Sequence, residues 1–266
     1  MPSLVHYSVQ GAAARIVLDS PHNKNALSTA LVHQLQQGLS DAAEESGVRA
    51  VVLTHTGTTF CAGADLAAAT SGKQDADPAD VAVDRAHEMT HLLRAILELP
   101  VPVIAAVNGQ ERAGWIGLIG ACDNVVAGPA TTFALTEARI GVAPSIISLT
   151  LLPKMNPRAA ARYFVTGERF DSHEAASIGL ITQAADSADD MAAAVTALIE
   201  NIAKGSPQGL AASKALTTAS ILADFDRHAD ELAKQSAELF VSEEAREGMM
   251  AFLQKRLPNW VAAAQS

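Results

Sequence analysis

Cysteine is scarce in this chain: Cys61 and Cys122 are the only two in 266 residues. Both sit in apolar, strand-like surroundings and read as reduced, buried thiols of a cytoplasmic protein rather than as a disulfide framework. Basic residues are outnumbered, 19 Lys and Arg against 29 Asp and Glu, for a net charge of −10. That balance argues against non-specific nucleic-acid binding. It leaves an anionic small ligand open, because local cations and backbone dipoles decide that. Although 49% of residues are hydrophobic, no window approaches the uninterrupted apolar length that spans a membrane. The N-terminal MPSLVHYSVQ lacks a basic region followed by an apolar one, so no secretory signal is expected. No sequence repeat is present.

What is there reads as an α/β body followed by helices. The length allows a large core, one domain with an appendage. Leu4–Val9 and Ala14–Asp19 read as two strands joined at Gln10-Gly11, and Ser28 as the N-cap of a helix carrying Leu31, Leu35 and Leu39. Arg49–Thr54 is a β-branched run typical of a buried strand. Thr70–Asp80 is a polar, Pro/Gly-punctuated loop. A helix over Val81–Glu98, a strand over Val101–Val107, a short helix over Gly114–Ala121 and a strand over Asp123–Ala127 follow. Asp171-Ser172-His173-Glu174 fits a capping box opening a helix that Gly179 closes. Past Ser187 the pattern is all helix: one starting at Ser206-Pro207, then two more near Asp224–Phe240 and Glu243–Leu257. The division is a body over 1–190 and a helical region over 191–266.

Two turns and one carboxylate carry the chemistry. Phe60-Cys61-Ala62-Gly63-Ala64-Asp65-Leu66 closes a strand with small residues, which lets backbone N–H groups approach a ligand. Fifty residues on, the strand ending Val107-Asn108-Gly109 leads to Ala113-Gly114, where a helix start offers unpaired N–H groups and a positive dipole end. Two N–H groups converging on one oxygen form an oxyanion hole. Phe133-Ala134-Leu135-Thr136-Glu137-Ala138-Arg139 then places one carboxylate in an apolar segment, where burial raises its pKa toward the range useful for proton transfer.

These ordered segments, FCAGADL, PVPVIAAVNG, a helix ending ACD, and FALTEARIGVAP, resemble the enoyl-CoA hydratase/isomerase (crotonase) superfamily over nearly the whole chain. The resemblance implies a spiral of ββα units with a C-terminal helical trimerisation region, assembled as a homotrimer or dimer of trimers. It implies an acyl-CoA substrate whose thioester oxygen takes N–H bonds from Ala62 and Gly114, with Ala62, Gly63, Ala64, Asp65 and Leu66 as the substrate loop. Glu137 falls on one of the two catalytic glutamates of the hydratases, and Ser145 where a backbone N–H helps to hold the catalytic water. Asn23-Lys24-Asn25-Ala26-Leu27 resembles the turn near CoA, which brings in Lys24 and Ala26. The tail EGMMAFLQKR resembles the C-terminal signature, in which Phe252 and Lys255 match positions that touch the CoA of a neighbouring subunit. No metal or redox cofactor is implied, and no membrane or nucleic-acid partner; coenzyme A is part of the substrate.

The chain also departs from that pattern. The position of the first hydratase glutamate is Gly117, and the usual glycine-rich run has become Gln110-Glu111-Arg112-Ala113-Gly114-Trp115. Trp115 either narrows the acyl pocket or disturbs the helix start. One carboxylate suffices to carry a proton between two carbons, as Δ3–Δ2 isomerisation requires, or to act through a water in hydration. The segment FALTEARIGVAPSIIS with glycine at 117 most resembles bacterial methylglutaconyl-CoA hydratases of leucine degradation. Hydration of a 2-enoyl-CoA is the leading expectation, ahead of isomerisation and of a CoA-ester-binding protein with little catalysis.

Competing signals have plainer explanations. His87-Glu88-Met89-Thr90-His91 matches the H-E-x-x-H zinc signature, with Glu111 where a thermolysin-like third ligand falls. The helix's apolar stripe is Ala82, Ala86, Met89, Leu93 and Ile96, so the two histidines share a solvated face with Asp84, Arg94 and Glu98. A strand, not a helix, separates them from Glu111. The alternative for Glu137 is an ion pair with Arg139 or Arg158. Glu111 and Arg112 read as a surface pair, Asp65 as a turn acceptor, Asp123 as structural, and Lys24 as touching either CoA or solvent.

Overall fold

A computed structural model describes residues 3–61, 78–112 and 114–263. Strands β1 (Val5–Gln10) and β2 (Ala13–Leu18) form an antiparallel hairpin, and helix α1 (Thr29–Glu44) follows, with Ser28 Oγ accepting from the Leu31 N–H as expected of the N-cap. The chain then alternates between two sheets. In order come β3 (Ala50–His55), β4 (Thr59–Cys61), α2 (Pro78–Glu98), β5 (Val103–Val107), β6 (Gln110–Arg112), α3 (Gly114–Ala121), β7 (Asn124–Ala127) and β8 (Thr132–Ala134). A 3-10 turn (Glu137–Ile140), α4 (Ser145–Leu151), α5 (Pro157–Thr166), β9 (Phe170–Asp171), α6 (Ser172–Ser177) and β10 (Gln183–Ala184) complete the body.

Strands β3, β5 and β7 join a six-stranded sheet, β1-β2-β3-β5-β7-β10, and the strand that follows each of them joins a four-stranded sheet, β4-β6-β8-β9. The β1–β2 hairpin lies wholly in the large sheet, and the last pair is reversed, with β9 in the small sheet and β10 in the large one. This is the expected spiral. Both faces of the central parallel strands β3, β5 and β7 are buried, as parallel sheets require. Ile16, Leu18, Val51, Leu53, Ala105 and Val107 point to one core. The alternating residues Ala13, Ala50, Val52, Ile104, Ala106 and Val126 point to another, covered by α7 (Ala188–Ile202) through Val195 and its neighbours.

The long C-terminal part differs from expectation. Instead of separate helices over 206–223 and 224–240, one helix α8 runs unbroken over Pro207–Phe240, followed by α9 (Glu243–Leu253) and α10 (Asn259–Ala263). The helix does not divide near Asp224, because the buried stripe Lys214, Thr218, Ile221, Phe225, Ala233, Ala237 continues past it at helical spacing. Lys214, a residue only 5% exposed, anchors α8: its ammonium donates to the carbonyls of Ile96 (2.8 Å) and Val101 (3.2 Å) and pairs with Asp123 (2.8 Å). Asp123 also accepts from the Val103 N–H at 2.7 Å, which makes it structural as expected. The capping box at Asp171 is half made. Asp171 accepts from the Glu174 N–H, but the Glu174 carboxylate turns to the Tyr163 hydroxyl and Ser177.

Candidate active site

The small sheet organises the site. Strands β4, β6 and β8 run parallel, with Cys61 beside Glu111 and Glu111 beside Phe133 in register. Ala62 follows β4 directly, Gly114 lies two residues past β6, and Glu137 lies three past β8. The described ends of β4, β6 and β8, from which the sequence runs on to these three residues, therefore lie together at one edge of the sheet, on neighbouring strands about 4.8 Å apart. That edge is the carboxyl end of parallel strands, where α/β proteins place ligands. A register shift between Thr59 and Cys61 marks a bulge in β4, a device that re-aims the chain where a strand ends.

The connections ahead of these strands are tied together by side chains that sequence reasoning passed over. Asn25 is fully buried in the left-handed region (φ 52°). Its amide oxygen accepts from the Ser20 N–H at 2.6 Å, and its NH₂ donates to the carbonyls of Thr59 (2.9 Å) and Thr56 (3.2 Å). His55 accepts the Asn108 N–H at Nε2 (3.2 Å) and turns Nδ1 to the Thr56 carbonyl (3.2 Å). It meets Phe60 edge to face at 5.4 Å. Burial lowers its pKa, which favours the neutral ring that this pair of bonds requires. Asn108 Oδ1 in turn accepts from the Ala130 N–H at 3.1 Å. No local sequence pattern points to these residues, because their partners lie far along the chain.

Glu137 opens the 3-10 turn and is only 7% exposed. Burial pushes its carboxyl up to about 7, opposed by a weaker bond from its own N–H. Its Oε2 is buried without a hydrogen-bond partner among the described residues. The ion-pair alternative therefore fails: Arg139 Nε donates to the Thr166 carbonyl at 2.9 Å, and Arg158 is exposed. Ser145 is the first residue of α4, so its N–H belongs to the first-turn donors without intrahelical partners. Its hydroxyl donates to Gln235 Oε1 on α8 at 2.7 Å.

Gly114 begins α3 as expected. At Gly117 a Cβ would lie 2.4 Å from Ile147 Cγ2, and at Gly120 one would lie 2.9 Å from the Thr150 carbonyl oxygen. Helix α3 thus crosses α4 on its glycine side, and Thr150 Oγ1 bonds the Gly117 carbonyl at 2.9 Å. Ala62, Gly63, Ala64, Asp65 and Leu66 lie outside the described residues, as do Ala113 and the side chains of Glu111, Arg112 and Trp115. Lys24 is exposed at φ 57°, and Ala26 is buried beside Asn25. Phe252 and Lys255 are exposed at the end of α9, with Lys255 in the left-handed region (φ 53°).

The rings of His87 and His91 are 6.3 Å apart, His91 is exposed, and Glu88 accepts from Thr29. Arg94 pairs with Glu98 along the same face. Among the described residues no three His, Cys, Asp or Glu side chains gather as a metal-holding group, and no helix is long and apolar enough to cross a membrane. Cys122 is buried with its thiol pushed up to about 12, which leaves it unreactive.

The sequence pattern of the enoyl-CoA hydratase/isomerase family matches residues 8–263. The chain belongs to that family. It is similar to the crystal structure of an enoyl-CoA hydratase from Mycobacterium avium, with 61% identity, coverage of 98% of this chain and 100% of that one, and a TM-score of 0.90. A carnitinyl-CoA hydratase structure from the same organism matches at 28% identity and a TM-score of 0.84, covering 98% and 100% of the two chains. The carnitinyl-CoA dehydratase of Proteus mirabilis is 30% identical over 266 residues, 98% of this chain and 99% of that protein. This family member is thus an enzyme of acyl-CoA chemistry on a crotonase-type fold.

Proposed function

We propose that this enzyme hydrates a 2-enoyl-CoA, with Glu137 as its proton-transfer residue. The observation that carries the reading is a buried carboxyl, pushed up to about 7 and with its Oε2 unpartnered among the described residues, just past the sheet edge at which β4 and β6 end. As carboxylate, Glu137 takes a proton from water while the water oxygen bonds to C3. The electron pair of the C2=C3 bond shifts onto the thioester oxygen, where the Ala62 and Gly114 N–H groups stabilise the enolate. The resulting carboxylic acid then protonates C2, and water has been added across the double bond. Ser145 N–H, at the start of α4, would orient that water. Lys24, and Phe252 and Lys255 of a neighbouring copy in a trimer or dimer of trimers, would contact the CoA portion. No metal or redox cofactor takes part in this scheme, and the buried thiol of Cys122 suits a cytoplasmic setting.

One observation favours a second reading. Gly117 supplies no carboxylate, and Ile147 occupies the space beside its Cα. A lone Glu137 fits Δ3–Δ2 isomerisation, in which it removes a proton from C2 of a 3-enoyl-CoA and returns it to C4. Incubation with crotonyl-CoA, 3-methylglutaconyl-CoA and a 3-enoyl-CoA separates the two, repeated with Glu137→Gln. Hydration of one of the first two substrates, falling by about 10²–10⁴ in the variant, is the expected result. Turnover of the 3-enoyl-CoA alone would favour isomerisation, and 3-methylglutaconyl-CoA as preferred substrate would assign the leucine-degradation branch. Binding without turnover would indicate a CoA-ester-binding protein, and full activity of Glu137→Gln would remove its assigned role.

A further inference from the structure

Helix α9 and the Glu137 turn meet backbone to backbone. Gly141 ends the turn at φ 77°, and a Cβ there would lie 2.6 Å from the Glu244 carbonyl carbon and 2.7 Å from the Ala245 nitrogen. From the other side, a Cβ on Gly248 would lie 2.5 Å from both the carbonyl carbon and oxygen of Ile140. Ala245 and Ala251 are buried on the same face of α9. Main chain cannot rotate aside as a side chain can, so two residues without Cβ are what allow this approach. The turn has little of its own to hold it. Arg139 N–H bonds the Thr136 carbonyl (3.0 Å), Val142 N–H the Glu137 carbonyl (3.1 Å), and Gly141 N–H the Ala138 carbonyl (3.4 Å). Short 3-10 segments with such bonds are intrinsically weak.

We propose that α9 is a positioning element for catalysis: through Gly248 against Ile140, and Gly141 against Glu244–Ala245, it fixes the turn that holds Glu137 in its buried, unpartnered setting. The proposal rests on Glu137 being the proton-transfer residue. The charged groups on the elements packed around the turn are Glu243, Glu244, Arg246 and Glu247 on α9, Arg158 and Arg162 on α5, and Arg139 in the turn. Arg139 is bonded to Thr166, Arg162 to Glu168 and Glu247 to Arg256. None of these charges contributes to the raised pKa of Glu137, which burial causes. Loosening α9 therefore admits water and lets that carboxyl fall toward its ordinary value, a signature that lost stability alone does not produce.

Gly248→Ala tests this, since α9 must then retreat by about 1 Å to restore a contact of ~3.5 Å. The expected result is a 10- to 100-fold lower kcat, the scale of a 1 Å misplacement, with KM little changed. The ascending limb of kcat against pH should move down by about one pH unit. Gly205→Ala is the steric control: its Cβ meets the Leu210 side chain at 2.7 Å at the α7–α8 link, and it should lower Tm while leaving the limb in place. Should Gly248→Ala fail to fold, Ala245→Gly removes a buried methyl from the same face without a clash and carries the same expectation at smaller size. Wild-type kcat, or a loss of activity with an unmoved limb, overturns the positioning role. Full activity of Glu137→Gln would instead overturn the underlying reading, so the two failures are distinguishable.

Discussion

Glu137 concentrates the consequences of burial in one titratable group. Its folded-state pKa of about 7 lies above the ordinary 4.5, so the folded protein binds more protons than the unfolded chain between those values. Stability therefore falls as pH rises from about 4.5 to about 7, by about 3 kcal/mol in full, and does not fall further on this account above that range. Activity runs the other way, because the carboxylate form is the base, and kcat should rise through about pH 7. Glu137→Gln keeps the shape and removes the ionisation. It should raise the urea midpoint relative to wild type at pH 8 and leave the two nearly equal at pH 4.5. An equal effect at both pH values would mean that the carboxyl is not buried as described. The apolar segment around Glu137 made this residue legible from the sequence. Asn25 and His55 were not, since their partners lie up to 53 residues away and no local pattern announces such bonds.

At the scale of elements, two close contacts decide how α3 and α8 sit. Gly117→Glu would drive a Cβ into Ile147 and bury a carboxylate, costing at least the ~1–3 kcal/mol of overpacking. The urea midpoint of Gly117→Glu/Ile147→Ala should exceed that of Gly117→Glu alone; simple addition of two losses would show that Ile147 is not the obstruction. Lys214→Ala leaves the half-buried Asp123 without its cation and should cost up to about 3 kcal/mol, read as a lower midpoint with unchanged slope. The long elements were legible because periodicity accumulates over many residues: α1, α2, β3 and β5 fall within a few residues of expectation. Strands β4, β6 and β8 have three residues each, too few for a period, yet they build the sheet edge that assembles the site. The expected division near Asp224 does not occur, because the buried stripe is continuous through it.

For the whole molecule, the unresolved balance is at its C-terminal surface. Met250, Phe252, Leu253 and Leu257 are 44%, 55%, 57% and 63% exposed within eight residues of chain. Large apolar side chains gathered on one surface favour a partner over water. Their setting is nevertheless built, not frayed: Arg256 makes two bonds to Glu247, at 2.6 and 2.7 Å, and Glu247 also accepts from the Asn259 N–H. That bonding holds the Glu247 carboxyl down at about 2, so the arrangement persists at any pH where the enzyme works. A fixed apolar surface at the C-terminal end of α9, the helix that packs on the Glu137 turn, fits the proposed homo-oligomer. Replacing Phe252 and Leu253 together by Asp puts two charges where burial would be required, and light scattering should then show the mass shifting from the assembly toward the monomer. The fold should survive, because both side chains are exposed in the single chain. A wild-type protein that is already monomeric at micromolar concentration, or a double variant that keeps the full assembly, would place the subunit contact elsewhere.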